Sequence, residues 1–244
     1  KVDFPLHGPG GVNFIGGVCV ANDGGEVSYD TGSYTVTGAN SLTVYIDIRT
    51  DYKHTDYKER LRNTLAKGKS AGWDRLYANH LADYRALFGR MDIDLGKSVN
   101  SSLPTDTRLS LLQSGSADPG FDALFFQYGR YMLIASSRDH GMNLCSNLQG
   151  IWNDNRACNM PWTCDYHLDV NIEQNYWAAN RVNLAECNKP LFDYIGLLAK
   201  HGSETARRMY GCNGWVAHTV ANAWGYTAPG WGVSWGMNVS GGAW

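Results

Sequence analysis

The run Tyr166-His167-Leu168-Asp169-Val170-Asn171-Ile172-Glu173-Gln174-Asn175-Tyr176-Trp177 changes character partway along. Upstream of it stand Asn147-Leu-Gln-Gly-Ile-Trp-Asn153 and Pro161-Trp162. Polar groups that bind hydroxyls or move protons alternate here with large aromatics, without the three-to-four spacing of a packing helix. Sugar sites need this mixture, flat apolar rings for C–H faces and amides and carboxylates for hydroxyls. Pro161 and the polar run after it favour an extended segment, with a helix beginning around Ile172. In an extended segment side chains repeat every two residues, so His167, Asp169 and Asn171 would share one face. On a helix Asp169 would point well away from the other two. A carboxylate next to an amide can orient and deprotonate a water, and an imidazole can bind a hydroxyl or pack beside a sugar. A polar loop without chemical duty fits the same spacing.

Toward the C-terminus a helix starts near Pro190 and carries Leu191, Tyr194, Ile195 and Leu198, with Tyr210-Gly211 as its stop or that of a short continuation. From Thr205 to Trp244 there is no Asp or Glu but five tryptophans: Trp215, Trp224, Trp231, Trp235 and Trp244. This fits a substrate-facing loop or an aromatic core cluster beneath glycine turns. Within it, His218 beside Trp215 is a candidate sugar contact, together with Trp224 and, upstream, Trp152. Glu173 and Glu186 could serve as catalytic acids, or be solvated helix carboxylates. His7, His54, His140 and His201 have no supporting partners in sequence.

Toward the N-terminus, Asp118-Pro119 supplies an N-cap and a proline for the first helical turn. The helix that follows would bury a stripe of Leu124, Tyr128, Tyr131, Met132 and Ala135. Residues 97–118, rich in Ser, Asn, Thr and Gly, read as a linker. Met91-Asp-Ile-Asp-Leu-Gly96 alternates like a strand. Leu61, Leu65, Trp73, Leu76, Tyr77, Leu81, Tyr84, Leu87 and Phe88 recur at helical spacing, with His80 a partly buried helix histidine. Residues 1–50 are β-rich, and Tyr34-Thr-Val-Thr37 with Leu42-Thr-Val-Tyr-Ile-Asp-Ile48 predicts a hairpin across Gly-Ala-Asn.

The 244 residues suffice for one large domain or two modest ones. A net charge of −2, with no basic run longer than Arg207-Arg208, gives nucleic acid or an anionic membrane little to hold. No apolar run approaches the ~20 residues of a membrane helix. The six cysteines fit no zinc spacing; buried free thiols or one bridge such as Cys158–Cys164 both fit. Asn100-Ser-Ser and Asn238-Val-Ser match the glycosylation sequon. No Ser/His/Asp order, phosphate-binding glycine loop or His-Glu-x-x-His occurs, which disfavours the hydrolases built on them. No metal site and no cofactor are expected.

Ordered motifs across most of the chain resemble glycoside hydrolase family 95, the inverting 1,2-α-L-fucosidases with some α-L-galactosidases. They run Trp73…Leu76…His80…Asp83-Tyr84…Leu87-Phe88, Asp94-Leu-Gly96, Pro104-Thr-Asp…Arg108-Leu and Asp118-Pro-Gly…Phe126-Gln-Tyr-Gly-Arg-Tyr131. They continue through Asn147-Leu-Gln-Gly-Ile-Trp-Asn153, Asn175-Tyr-Trp177 and Tyr210-Gly-Cys-x-Gly-Trp-Val-Ala-His218.

The resemblance implies a multidomain α+β chain. Residues 1–96 would form part of an N-terminal β-sandwich-type domain with a helical linker, 97–118 a linker, and 119–244 the first part of an (α/α)6 barrel. About 125 residues are too few for twelve helices of 10–14 residues each, so an incomplete barrel is expected. The family's His/Thr-x-Asn-x-Asn wall, whose asparagines position the attacking water, falls on His167, Asp169 and Asn171, with Asp169 departing from asparagine. Thr219 and Asn222 stand where family members often carry a second histidine and an aspartate. The general acid, a glutamate of a Ser-Pro-Glu-like motif, is expected downstream, since the chain has no Pro-Glu dipeptide. The implied activity is release of terminal α-L-fucose from a fucosylated oligosaccharide or polysaccharide, with this chain alone inactive. An α-L-galactosidase and a non-catalytic carbohydrate-binding remnant are the alternatives; a helical-toroid polysaccharide lyase agrees less well with the motifs. A secreted or periplasmic location is expected, although the chain opens at Lys1 with no signal segment.

Overall fold

In the computed structural model the described residues are 11–139, 144–148, 152 and 165–229. The possible Cys158–Cys164 bridge, Pro161-Trp162, the Asn238 sequon, His7, His140, Trp231, Trp235 and Trp244 lie outside them. Helices and small two-stranded sheets make up the described chain, which divides into two compact units between Asp83 and Tyr84.

The first unit opens with strands β1 (Phe14–Asp23), β2 (Glu26–Asp30), β3 (Ser33–Thr37) and β4 (Ser41–Thr50). The expected β3–β4 hairpin does not form. Instead β2 pairs with β3, and β1 pairs with β4 in a long antiparallel ladder that sets Val18 opposite Ile46. Thr31 and Gly32, both at positive φ, make the two-residue turn whose twist suits a hairpin, so pairing starts at Asp30–Ser33. The Gly38-Ala39-Asn40 link then returns the chain to β1, where the Asn40 amide donates to the Asp23 carbonyl at 2.8 Å.

Helix α1 (Tyr57–Ala71) packs on the β1–β4 ladder. Gly17 permits this approach: a Cβ there would lie 2.6 Å from Leu61 and 2.8 Å from Leu65. The opposite face, carrying Val18, Ile46 and Ile48, is exposed. Gly72, at φ +76°, ends α1 and separates it from α2 (Trp73–Phe88), so the helical period from Leu61 to Phe88 resolves into two helices.

The second unit holds α3 (Thr105–Gln113), α4 (Pro119–Ser136), β5 (Tyr166–His167), α5 (Asn171–Tyr176), α6 (Lys189–Tyr210) and β6 (Val220–Ala221). No strand forms at 91–96. The Met91 carbonyl, which a sheet would use, accepts from Arg130 Nη1 at 2.7 Å and Gln127 Nε2 at 3.3 Å. Within 97–118 the chain forms a 3-10 turn at Val99–Ser102 and then α3, behind a linker-like composition. Asp118 caps α4 as its sequence indicates, accepting from the Phe121 amide.

The buried stripe of α4 is not the expected one. Leu124, Tyr128 and Tyr131 are exposed, while Arg130, Leu133 and Ile134 are buried. Arg130 turns the helix face inward because its guanidinium caps the end of α2, donating to the carbonyls of Leu87 and Phe88 as well as Met91. It also lies over the Phe88 ring, 5.2 Å from its centroid. The core joins Leu133 and Ile134 to Leu168, Ile172, Tyr176, Leu184, Tyr194 and Leu198. Helix α6 starts at Lys189-Pro190 and ends on Gly211 in the left-handed region, as read from the sequence. A Cβ at Gly202 would lie 2.5 Å from the Val216 carbonyl, so glycine lets the segment after α6 fold back onto it.

Candidate functional site

The polar run 165–171 is held by a short antiparallel ladder. Tyr166 pairs with Ala221 and His167 with Val220, and the Leu168 amide donates to the Thr219 carbonyl at 2.9 Å. This ladder sets Tyr166–Leu168 against Thr219–Ala221 in the acid-free segment, two stretches some fifty residues apart in sequence.

The extended stretch ends sooner than the spacing implied. Leu168, Asp169 and Val170 form a turn, and α5 begins at Asn171, one residue before the expected start. The three candidates therefore do not share an extended face. His167 is buried, Asp169 is exposed in the turn at φ +66°, and Asn171 is half-buried at the head of α5. Asn171 shares a face of that helix with Gln174 and Asn175, three and four residues on. The Asn175 side chain fixes the neighbouring loop by donating to the Asn147 carbonyl at 2.9 Å.

His167 does not stand alone. Its Nδ1 lies 3.0 Å from Asp165 Oδ2, a carboxylate that orients the ring. The run Asp165-x-His167 was the signal for this partner. Glu173, a candidate acid, receives the Asp169 amide on its carboxylate at 3.3 and 3.4 Å. Glu186 pairs with Arg90 at 2.5 Å. A hydrogen bond from its own backbone, with Arg90 beside it, holds Glu186 below the usual glutamate pKa, opposite to what a neutral-pH proton donor needs.

His218 was expected to face a sugar, yet its side chain is fully buried. Its Nδ1 lies 2.6 Å from the Thr227 carbonyl and its Nε2 2.8 Å from the Tyr210 hydroxyl. With both nitrogens engaged it closes the loop 218–227 onto the end of α6, and does not present itself to a ligand. Asn222 shapes the same loop, its Oδ1 accepting from the amides of Trp224 and Tyr226 at 3.0 and 3.1 Å. Its carbonyl accepts from the Tyr194 hydroxyl at 2.8 Å. Trp224 is partly exposed in the turn so formed. Thr219 is buried behind the ladder.

Trp152 belongs to a different part of this unit. It lines a cavity of about 560 Å3 with Phe126, Tyr128, Ser136, Gln174 and Asn175. Its indole N–H is buried and has no hydrogen-bond partner among the described residues. Neither His167, Asp169, Asn171, His218 nor Trp224 lines this cavity. Helix α5 relates the two places, since the amides that enter the cavity continue the row that Asn171 begins. Tyr176, on the buried side of α5, is the anchor that sequence reasoning missed. Its hydroxyl meets Ser137 Oγ and the Ser146 amide, each at 2.8 Å. Among the described residues no group of three His, Cys, Asp or Glu is placed to hold a metal ion.

Comparison with known proteins agrees with the motifs. Residues 72–244 match the glycosyl hydrolase family 95 catalytic domain. The chain is 42% identical to alpha-L-fucosidase 2 of Arabidopsis thaliana over 188 residues, covering 75% of this chain and 22% of that protein. It is 32% identical to a probable alpha-fucosidase A of Aspergillus niger, over 80% of this chain and 24% of the relative. A probable alpha-fucosidase A of Aspergillus oryzae is 31% identical, over 83% and 30%. The chain thus spans between a fifth and a third of the length of these relatives.

Proposed function

The chain belongs to glycosyl hydrolase family 95, and from that membership we propose that it forms part of an enzyme releasing terminal α-L-fucose from glycans with inversion of configuration. The observation that carries this reading is the ladder between 166–167 and 220–221, which joins the strand leading into the polar turn to the acid-free segment inside the family-matched region. Asp169 and Asn171 orient and deprotonate the attacking water. His167 and Trp224 contact the terminal sugar, Trp152 contacts the glycan in its separate cavity, and His218 supports the loop from behind.

Inversion needs an acid and a base on opposite sides of the sugar, about 6.5–9.5 Å apart. Glu173 is engaged by the Asp169 amide and sits on the same side as Asp169; Glu186 is tied to Arg90. Following the family's Ser-Pro-Glu-like motif, we assign the general acid to a part of the enzyme outside these 244 residues and expect no turnover from this chain alone. In the same reading, the β-strand unit is part of a β-sandwich-type domain and the helices after residue 119 begin an (α/α)6 barrel. The substrate is a fucosylated oligosaccharide or polysaccharide, met in a secreted or periplasmic setting, with neither nucleic acid nor membrane as partner.

The test uses the intact protein on 2′-fucosyllactose, with the first-formed fucose anomer read by NMR. Inversion gives β-L-fucose first, and Asn171→Ala should lower kcat about a hundredfold or more. Initial α-L-fucose, or wild-type turnover in that variant, would sink the assignment. Asp169, a carboxylate where the family motif has a neutral amide, favours a second reading, a carbohydrate-binding protein without turnover. That reading predicts binding of the same glycan with no fucose released.

A further inference from the structure

The passage from β5 to α5 leaves one peptide unit between two regular elements. The ladder ends with the Leu168 amide on the Thr219 carbonyl, and helical bonding begins with the Gln174 amide on the Val170 carbonyl. Between them, Asp169 sits at φ +66°, a region where a side-chain-bearing residue is strained, although aspartate tolerates it better than most. Its amide is bound by the Glu173 carboxylate, with the two oxygens at 3.4 and 3.3 Å. Glu173 lies in the first turn of α5, where the free amides and the helix dipole favour a negative charge.

We infer that Glu173 is a positioning residue for Asp169, holding its backbone in the left-handed turn and thereby fixing where its exposed carboxylate projects. This rests on the water-orienting role proposed for Asp169. Among the described residues no other acceptor takes that amide, so loss of the Glu173 carboxylate frees the peptide to rotate into a common backbone region. The Asp169 carboxylate then swings away from the water it orients. Glu173 needs only an acceptor oxygen for this work, not a titrating proton, and that separates positioning from acid catalysis.

The experiment compares Glu173→Gln, Glu173→Ala and Asp169→Ala in the intact protein, reading kcat, KM and hydrogen exchange at the Asp169 amide. Glutamine keeps an acceptor at the same reach, so kcat should stay within about threefold and exchange should remain slow. Alanine should speed Asp169 exchange and lower kcat about 10- to 100-fold, the cost of misplacing a catalytic group by roughly an ångström, with KM nearly unchanged. Glu173→Gln as damaging as Glu173→Ala would mean that the carboxylate itself reacts, overturning the inference. Unchanged Asp169 exchange in Glu173→Ala would overturn the positioning role alone. Full activity of Asp169→Ala would overturn the role of Asp169 and the inference with it.

Discussion

Arg108 and Asp118 form a two-pronged pair, Nε to Oδ2 at 2.8 Å and Nη2 to Oδ1 at 3.0 Å, with both side chains nearly enclosed. The same carboxylate caps α4, so one group joins α3 to the start of the next helix. The Arg108 guanidinium, helped by Ser98 and the Phe121 amide, holds the Asp118 carboxyl at about 2 instead of 3.8. A carboxyl depressed on folding stabilises in full above its unfolded pKa, and that contribution disappears as pH falls through the folded value. Stability should therefore decline between about pH 4 and pH 2. Asp118→Asn keeps a capping oxygen but loses the charge, so Tm should drop a few degrees at pH 7 and the acid decline should flatten. Melts from pH 2 to 7 check this, and an unaltered acid limb in the variant would remove Asp118 as its source.

Tyr176 should be a stability position, not a catalytic one. Its hydroxyl lies between Ser137 Oγ and the Ser146 amide. Burial raises its pKa, so the hydroxyl stays protonated as the geometry requires. In Tyr176→Phe the Ser137 hydroxyl still donates to the Cys187 carbonyl at 2.8 Å, but the buried Ser146 amide loses its acceptor. An orphaned buried donor costs about 1–3 kcal/mol. Urea denaturation should show a loss in that range; a change under a few tenths of a kcal/mol would mean that water replaces the phenol.

His218 should likewise act through the loop it closes. A carbonyl only accepts, so Nδ1 carries the proton facing Thr227, and Nε2 accepts from the Tyr210 hydroxyl. Alanine removes both bonds, but the Thr227 carbonyl keeps the His218 backbone amide at 3.2 Å and the Tyr210 side chain is exposed, so the loss should be about 1–3 kcal/mol in all. Asparagine places an N–H near the Nδ1 position and should recover part of this. Equal losses for His218→Ala and His218→Asn would show that ring volume, not the Thr227 bond, is what matters.

The elements legible in the sequence were those fixed by local chemistry: the Asp118-Pro119 cap of α4, the Gly211 stop of α6 and the start of α5 within one residue. What escaped depended on partners distant in the chain. Arg130 reads as a surface residue until the carbonyls at the end of α2 are set beside it, and the α4 stripe was misplaced for that reason. Strand-like alternation at 91–96 is real, but Arg130 and Gln127 occupy the Met91 carbonyl a strand would have used. At the candidate site, residue types pointed to the segments that the ladder joins, whereas geometry did not follow from spacing. The Leu168–Val170 turn separates His167 from Asp169, and the bonds that bury His218 come from Tyr210 and Thr227.

Fucose should be preferred over L-galactose in the intact enzyme, with His167 the residue responsible. The two sugars differ only at C6, a methyl in fucose and a hydroxymethyl in L-galactose. An imidazole at this wall would pack on the methyl and crowd the extra hydroxyl. The ring is poorly placed to swing aside, because its backbone is in the ladder with Val220 and its Nδ1 is held by Asp165 at 3.0 Å. An apolar wall rejects an added hydroxyl only weakly, so the ratio of kcat/KM for the two aryl glycosides should be about 10- to 100-fold. Threonine at this position would open space and offer a hydrogen bond, so His167→Thr should bring the ratio toward unity, mainly by improving the L-galactoside. Asp165→Asn keeps an acceptor for the ring and should preserve the preference, whereas Asp165→Ala frees the ring and should erode it. A wild-type enzyme that hydrolyses the L-galactoside faster, or a ratio unmoved by His167→Thr, would place the C6 contact elsewhere in the protein.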